Sequence, residues 1–210
     1  MSCNSSNVFM KKLILSVFFS LLIIQSQAFA TVRIMLFGDS LMAGYGLTQP
    51  FHLSEILKKE LAKENIKSEI INASVSGDTT FGGLNRIQWS LADKPDIVIL
   101  GLGANDMLRG IDPKEIKKNL EQIITLIQKQ KIKIILTGLL APESYGNNYK
   151  ENFDKIYKDL AKEFNLILMP FLLEGVALNP KYNLEDGKHP NAEGVKIIAS
   201  NLKPFIKKSL

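Results

Sequence analysis

Short, almost unbroken apolar runs separated by amphipathic segments constrain this chain more than any other feature of its sequence. The runs are Val32–Phe37, Ser68–Asn72, Asp96–Leu102, Ile132–Thr137 and Leu166–Met169. Most lack the apolar–polar alternation of a strand with one wet face, so they read as strands covered on both sides, as in a parallel sheet. Between them, Leu53, Ile56, Leu57 and Leu61 fall on one helical face. Ile116, Leu120, Ile123, Ile124 and Ile127 do the same, as do Phe153, Ile156, Tyr157, Leu160 and Phe164. A last helix is expected from near Asn191, kinked or ended by Pro204. This alternation predicts a doubly wound α/β fold: a single-domain, three-layer α/β/α sandwich around a mainly parallel five-stranded sheet. The chain has 210 residues, enough for one domain with a sizeable core. No internal repeat, low-complexity tract or linker interrupts residues 31–210.

Residues 1–30 have a different character. Lys11 and Lys12 form a positive start, Leu13 to Ile24 is apolar except for two serines, and Ala28-Phe29-Ala30 has the small-x-small pattern of a cleavage site. The apolar stretch is well short of the ~20 residues that span hydrocarbon. A cleaved secretory signal is therefore expected, with residues 31–210 as the mature domain and no stable membrane anchor left behind. Export to the periplasm of a Gram-negative cell, or secretion otherwise, follows from it. Met1 and Met10 are both open as the start. The net charge is +5, and +3 once Lys11 and Lys12 are set aside, with no basic cluster to support a nucleic-acid role. The one cysteine, Cys3, lies in the leader, which excludes disulfides and thiolate metal sites from the mature domain.

In folds of this kind chemistry gathers where strands end. The loop after the first strand reads Gly38-Asp39-Ser40-Leu41. The next contains Ser76-Gly77-Asp78, and the third reads Gly103-Ala104-Asn105-Asp106. Near the C-terminus stands Asp186-Gly187-Lys188-His189-Pro190-Asn191. Singly, each has a bland explanation. Gly38-Asp39-Ser40 could be a strand-end turn, and Asp186 and His189 could cap the helix that follows. A dinucleotide fingerprint starting at Gly101 and Gly103 fails, because Asp106 stands where the third glycine belongs.

Four such fragments in this order and spacing are hard to explain as turns. The chain resembles the SGNH hydrolases, or GDSL esterases, whose four blocks carry Ser, Gly, Asn and His, here Ser40, Gly77, Asn105 and His189. The resemblance covers essentially the whole mature domain. It is closest to an exported bacterial subgroup of arylesterases, acyl-thioesterases and lysophospholipases. One departure is visible: many members have Gly-Gly-Asn-Asp where this chain has Gly103-Ala104-Asn105-Asp106.

Acyl transfer requires a nucleophile, a base, an orienting group and donors for the oxyanion. Ser40 has no strong neighbour in sequence, so its base must come from the fold. Of the two histidines, His52 opens a segment rich in Lys and Glu, where a surface or capping role fits better, which leaves His189. Asp186, three residues earlier, can accept from one ring nitrogen and free the other. Gly-Asp-Ser-Leu also lacks the Gly-x-Ser-x-Gly of a nucleophile elbow. Asp39 and Asp106 are expected to hold loops.

The resemblance further implies an oxyanion hole from the Ser40 and Gly77 N–H groups and the Asn105 side chain. It implies an acyl-binding role for Met107, Leu108 and Ile111, in an apolar loop beside the site. The same three side chains could equally cover the core. The loops Leu139–Tyr149 and Phe171–Leu184 could complete an apolar wall. The implied activity is a serine esterase acting on small acyl ester, thioester or lysolipid substrates, with no cofactor, no metal and no nucleic acid, and a monomer is the favoured state. A carbohydrate O-acetyl esterase and a non-catalytic binding module are the alternatives.

Overall fold

A computed structural model describes residues 31–210. The expected leader, Cys3 and the expected cleavage site lie outside the described residues. All five expected runs become strands, differing by at most one residue at either end: β1 (Val32–Gly38), β2 (Ser68–Asn72), β3 (Ile97–Gly101), β4 (Lys133–Thr137) and β5 (Ile167–Met169). They make one sheet of order β2-β1-β3-β4-β5, parallel throughout. The central strands are apolar on both faces because both are covered: Ile34 to Phe37 and Ile97 to Leu100 are buried.

The helices are α1 (Ser40–Ala43), α2 (Leu53–Lys63), α3 (Thr80–Ser90), α4 (Ala104–Leu108), α5 (Pro113–Lys129), α6 (Asn147–Glu163) and α7 (Ala192–Ser209). The chain steps outward from β1 to β2, then back past β1 to β3, β4 and β5. With right-handed crossovers, that reversal moves the helices to the other face of the sheet. Accordingly α2 packs with α7, while α3, α5 and α6 pack in sequence with one another. The sheet thus lies between two helical layers.

Two differences from expectation have clear causes. Helix α3 carries little apolar periodicity, since its buried positions are only Thr80, Gly83, Ile87 and Ser90. It forms because the Thr79 hydroxyl caps the Gly82 N–H at 3.1 Å. Gly83 lets it approach the sheet, where a β-carbon would come 2.4 Å from Leu102. Pro204 does not end the last helix. Helix α7 continues to Ser209, because Ile198 and Leu202 before the proline and Ile206 after it are fully buried on one stripe. Burying another such side chain, at ~1.5–3 kcal/mol, offsets much of the ~3 kcal/mol that an internal proline costs.

Strand order reverses between β1 and β3, so the loops leaving these neighbouring strands diverge to opposite faces and open a crevice at their carboxyl ends. Ser40 follows β1 and Asn105 follows β3. The topology alone puts them side by side.

Candidate active site

Ser40 is the first residue of α1, whose cap is Asp39, with Oδ1 accepting from the Leu41 N–H at 3.0 Å. The other Asp39 oxygen is buried without a hydrogen-bond partner. Burial, helped by repulsion from Asp106 and Asp78, pushes this carboxyl up to about 7. Asp106 is buried too, and its two oxygens accept from the Thr80 hydroxyl at 2.6 Å and the Thr80 N–H at 2.9 Å. Both aspartates hold loops, as expected of them.

The partner of the Ser40 hydroxyl comes from 149 residues away. His189 Nε2 lies 2.9 Å from Ser40 Oγ, and its Nδ1 lies 2.6 Å from Asp186 Oδ2. Asp186 Oδ1 accepts from the Lys188 and His189 backbone N–H groups at 2.8 and 3.0 Å. Those two bonds, and then the imidazole, hold the Asp186 carboxyl well below the usual carboxylate range. An ionised carboxylate only accepts, so Nδ1 is the donor in that pair, and in the neutral imidazole Nε2 then faces the serine as an acceptor. The turn is closed by Leu184 N–H to His189 O and Asn191 N–H to Tyr182 O, and by the bridge between Asn183 and Pro190. The following helix is capped by Asn191, whose Oδ1 accepts from Glu193 and Gly194. Asp186 and His189 are therefore free of the capping role considered for them.

His52 sits at the N-cap of α2 without a capping side-chain bond, and its Nε2 is 3.0 Å from the Leu47 carbonyl. It braces the loop after α1. Tyr45, not singled out from sequence, lies over the His189 ring with centroids 4.2 Å apart.

Gly77 has φ +81°, a left-handed conformation that favours glycine. One Asn105 amide hydrogen is committed to the Asp78 carbonyl at 3.0 Å, which fixes the side chain and leaves the second hydrogen outside that bond. Gly103 has φ +123°, and a β-carbon there would strike the Tyr157 hydroxyl, which donates to Leu102 O at 3.0 Å. The neighbouring Ala104 carries no positive φ and starts α4. Its methyl group therefore costs the backbone nothing, which accounts for alanine at this position.

The expected acyl contacts divide. What the sequence presents as a loop begins as the helical turn α4. Met107 is buried in the core, and Ile111 is half-buried against it. Leu108 is 52% exposed. In the two other expected wall loops, Leu139, Leu172 and Val176 are buried, whereas Leu140 and Leu178 are exposed. Among the described residues no group of three His, Cys, Asp or Glu side chains converges as a metal site.

A three-layer sandwich with Ser, His and Asp joined at the β1/β3 crevice defines a class of serine-hydrolase-like proteins. Residues 36–197 match the GDSL-like lipase/acylhydrolase family. An arylesterase of Vibrio mimicus is 38% identical over 81% of this chain and 86% of its own. Thioesterase 1/protease 1/lysophospholipase L1 of Escherichia coli K12 is 36% identical over 87% of this chain and 86% of its own. The crystal structure of TesA superposes with a TM-score of 0.81 at 35% identity, covering 85% of this chain and 99% of that one. The chain belongs to the GDSL-like lipase/acylhydrolase family and is a hydrolase.

Proposed function

We propose that the protein is an exported serine esterase that hydrolyses acyl esters and thioesters through Ser40, His189 and Asp186. The observation that carries this reading is the continuous hydrogen-bonded chain from Asp186 through His189 to Ser40. The names of the relatives, arylesterase and thioesterase/lysophospholipase, support ester and thioester substrates.

In the reaction, Ser40 Oγ attacks the acyl carbonyl as its proton passes to His189 Nε2. Asp186 stabilises the resulting imidazolium. The oxyanion that forms is held by the Ser40 and Gly77 N–H groups and the second Asn105 amide hydrogen. Collapse expels the alkoxide, phenoxide or thiolate, which takes the proton from His189, and leaves an acyl-serine. Water, deprotonated by the same imidazole, attacks that ester in turn and releases the acid.

Labelling with a fluorophosphonate probe, located by mass spectrometry, tests the nucleophile: modification at Ser40 supports the reading and an unmodified protein overturns it. A panel of aryl esters, acyl thioesters, lysophospholipids and acetylated sugars tests substrate class, and acetylated sugars as the best substrates would favour a carbohydrate esterase instead. Export is tested by the N-terminus of protein recovered outside the cytoplasm. Thr31 is expected there.

A further inference from the structure

One side chain outside the triad touches, directly or through one neighbour, every segment that supplies an oxyanion donor. Arg86, on the inner side of α3, donates from Nε to Asp78 Oδ2 at 2.7 Å and from Nη2 to the Gly38 carbonyl at 3.2 Å. Its Nη1 donates to the Ala73 carbonyl. The guanidinium lies over the Phe37 ring, 3.9 Å from the centroid. Gly38 is two residues before Ser40, and Ala73 opens the loop that carries Gly77. Asp78 follows Gly77, and its carbonyl is the acceptor that fixes the Asn105 amide.

A helix-borne cation placed this way does what a strand ladder cannot. The sheet ends at Gly38, Asn72 and Gly101, and beyond Asn72 the pairing continues through the Ala73 N–H to Leu36 O and the Val75 N–H to Gly38 O, stopping short of Gly77 and Asp78. A planar guanidinium offers five donors in a fixed fork. It can therefore hold two carbonyls and a carboxylate at set distances from one another. The arrangement is substantially desolvated, with the Arg86 and Asp78 side chains 21% and 10% exposed. Such an ion pair is no cheap source of stability, since desolvation consumes much of its Coulomb gain. Its evident product is geometry, because each of its acceptors lies on a segment bordering the crevice.

We propose that Arg86 is a positioning residue of the oxyanion hole: by bracing Gly38, Ala73 and Asp78 it helps to set the spacing of the Ser40, Gly77 and Asn105 donors, beside the Arg109 Nη2 bond to Gly77 O at 3.0 Å. This rests on the acyl-transfer reading above. Arg86 itself touches no substrate. Its contribution therefore falls on turnover, when charge has developed on the oxygen, and not on binding of the neutral ester.

The test is Arg86→Lys, which keeps the positive charge and loses the fork. A displacement of donors by a fraction of an ångström to an ångström lowers kcat by ~10–100-fold, with KM within about threefold of wild type by the same logic of transition-state binding. Affinity for a trifluoromethyl ketone, which forms a tetrahedral adduct with the serine, falls in parallel with kcat/KM, whereas affinity for the carboxylate product does not. In an Asn105→Ala background the same substitution costs much less, because the donor it helps to place is gone. Added ethylguanidinium restores part of the turnover of Arg86→Gly. A strut needed only for folding would instead lower the melting temperature and the active fraction while leaving kcat per labelled Ser40 unchanged. That result overturns the proposal, as does a folded Arg86→Lys enzyme with wild-type kcat and inhibitor affinity. If wild-type Ser40 resists labelling, the acyl-transfer reading fails. If Ser40 is labelled and Arg86→Lys behaves as wild type, only the positioning role fails.

Discussion

The two halves of the proposed site, a base side and an oxyanion side, are built in opposite ways. On the base side, every bond that fixes Asp186 runs to a residue no more than three positions away: Lys188 N–H, His189 N–H and the His189 ring. A tight turn at the surface makes its own geometry and then presents one nitrogen to Ser40. On the oxyanion side, the bonds join residues far apart in the chain. Asn105 reaches Asp78, Arg86 reaches Gly38, and Asp106 reaches Thr80, in a region where Asp39, Thr80 and Asp106 are essentially buried. A local turn can fail without disturbing the fold. A buried network cannot, because each lost partner strands a desolvated polar group.

The largest expected effect lies at the point where the halves meet. Ser40→Ala and His189→Ala should each lower kcat by as much as ~10⁶-fold, and the double variant should lose little more, because the two act as a unit. Steady-state hydrolysis of an aryl ester measures this; additive losses would mean that they do not form one machine. Next comes Asp186→Asn. Its oxygen can still accept the two backbone N–H bonds, but its amide would donate to Nδ1 and select the wrong tautomer, a change worth up to ~10⁴-fold in kcat. Thermal unfolding should barely move, and a large fall in melting temperature would contradict the local construction of this turn.

Asn105→Ala should lower kcat by ~10²–10³-fold with little change in KM, the usual cost of one oxyanion donor. Loss of binding with turnover intact would make Asn105 a recognition residue instead.

The contrast should also appear in how stability varies with pH. The Asp39 carboxyl is raised to about 7 in the folded state by burial, so between about pH 4 and pH 7 the native protein holds a proton that the unfolded chain has released. Stability contributed by this group is thus full below pH 4 and falls as pH rises through 7, by up to ~4 kcal/mol at ~1.4 kcal/mol per pH unit. Denaturant titrations of wild type and Asp39→Asn should diverge in that window, with the variant flatter; equal slopes would refute the assignment. Asp186 is shifted downward, so its contribution is lost only in strong acid. Asp186 should therefore add nothing to the slope between pH 4 and pH 7.

The smallest effect concerns Leu108, the one exposed member of the expected acyl contacts. Leu108→Asp should lower activity on long acyl chains by ~10-fold, about the worth of two lost methylene contacts, and leave acetate esters nearly unchanged. Equal losses on both would remove Leu108 from the acyl path.

Much of this architecture is legible in the sequence. The strands declare themselves because residues covered on both faces must be apolar without interruption. The pairing of Asp186 with His189 can be read because a three-residue spacing brings the two together locally. Helix α3 is not legible: Gly82, Gly83 and an exposed Trp89 hide its period, and Arg86 is hidden with it. Met107 and Ile111 cannot be assigned from sequence either, since an apolar side chain after a strand reads the same whether it lines a pocket or closes the core.

The sequence by itself determined the alternation of strands and helices, the four strand-end blocks and the chemistry those residues can perform. These are properties of composition and short-range spacing, where each residue's preference is expressed through neighbours a few positions away. Only the tertiary structure decided the strand order that opens the crevice between β1 and β3, the approach of His189 to Ser40 across 149 residues, and the convergence of Arg86 on the end of β1 and both ends of the β2–α3 loop. Distances of that kind depend on how buried faces pack and which polar groups find partners once water is excluded, and no residue carries that information until the others are in place.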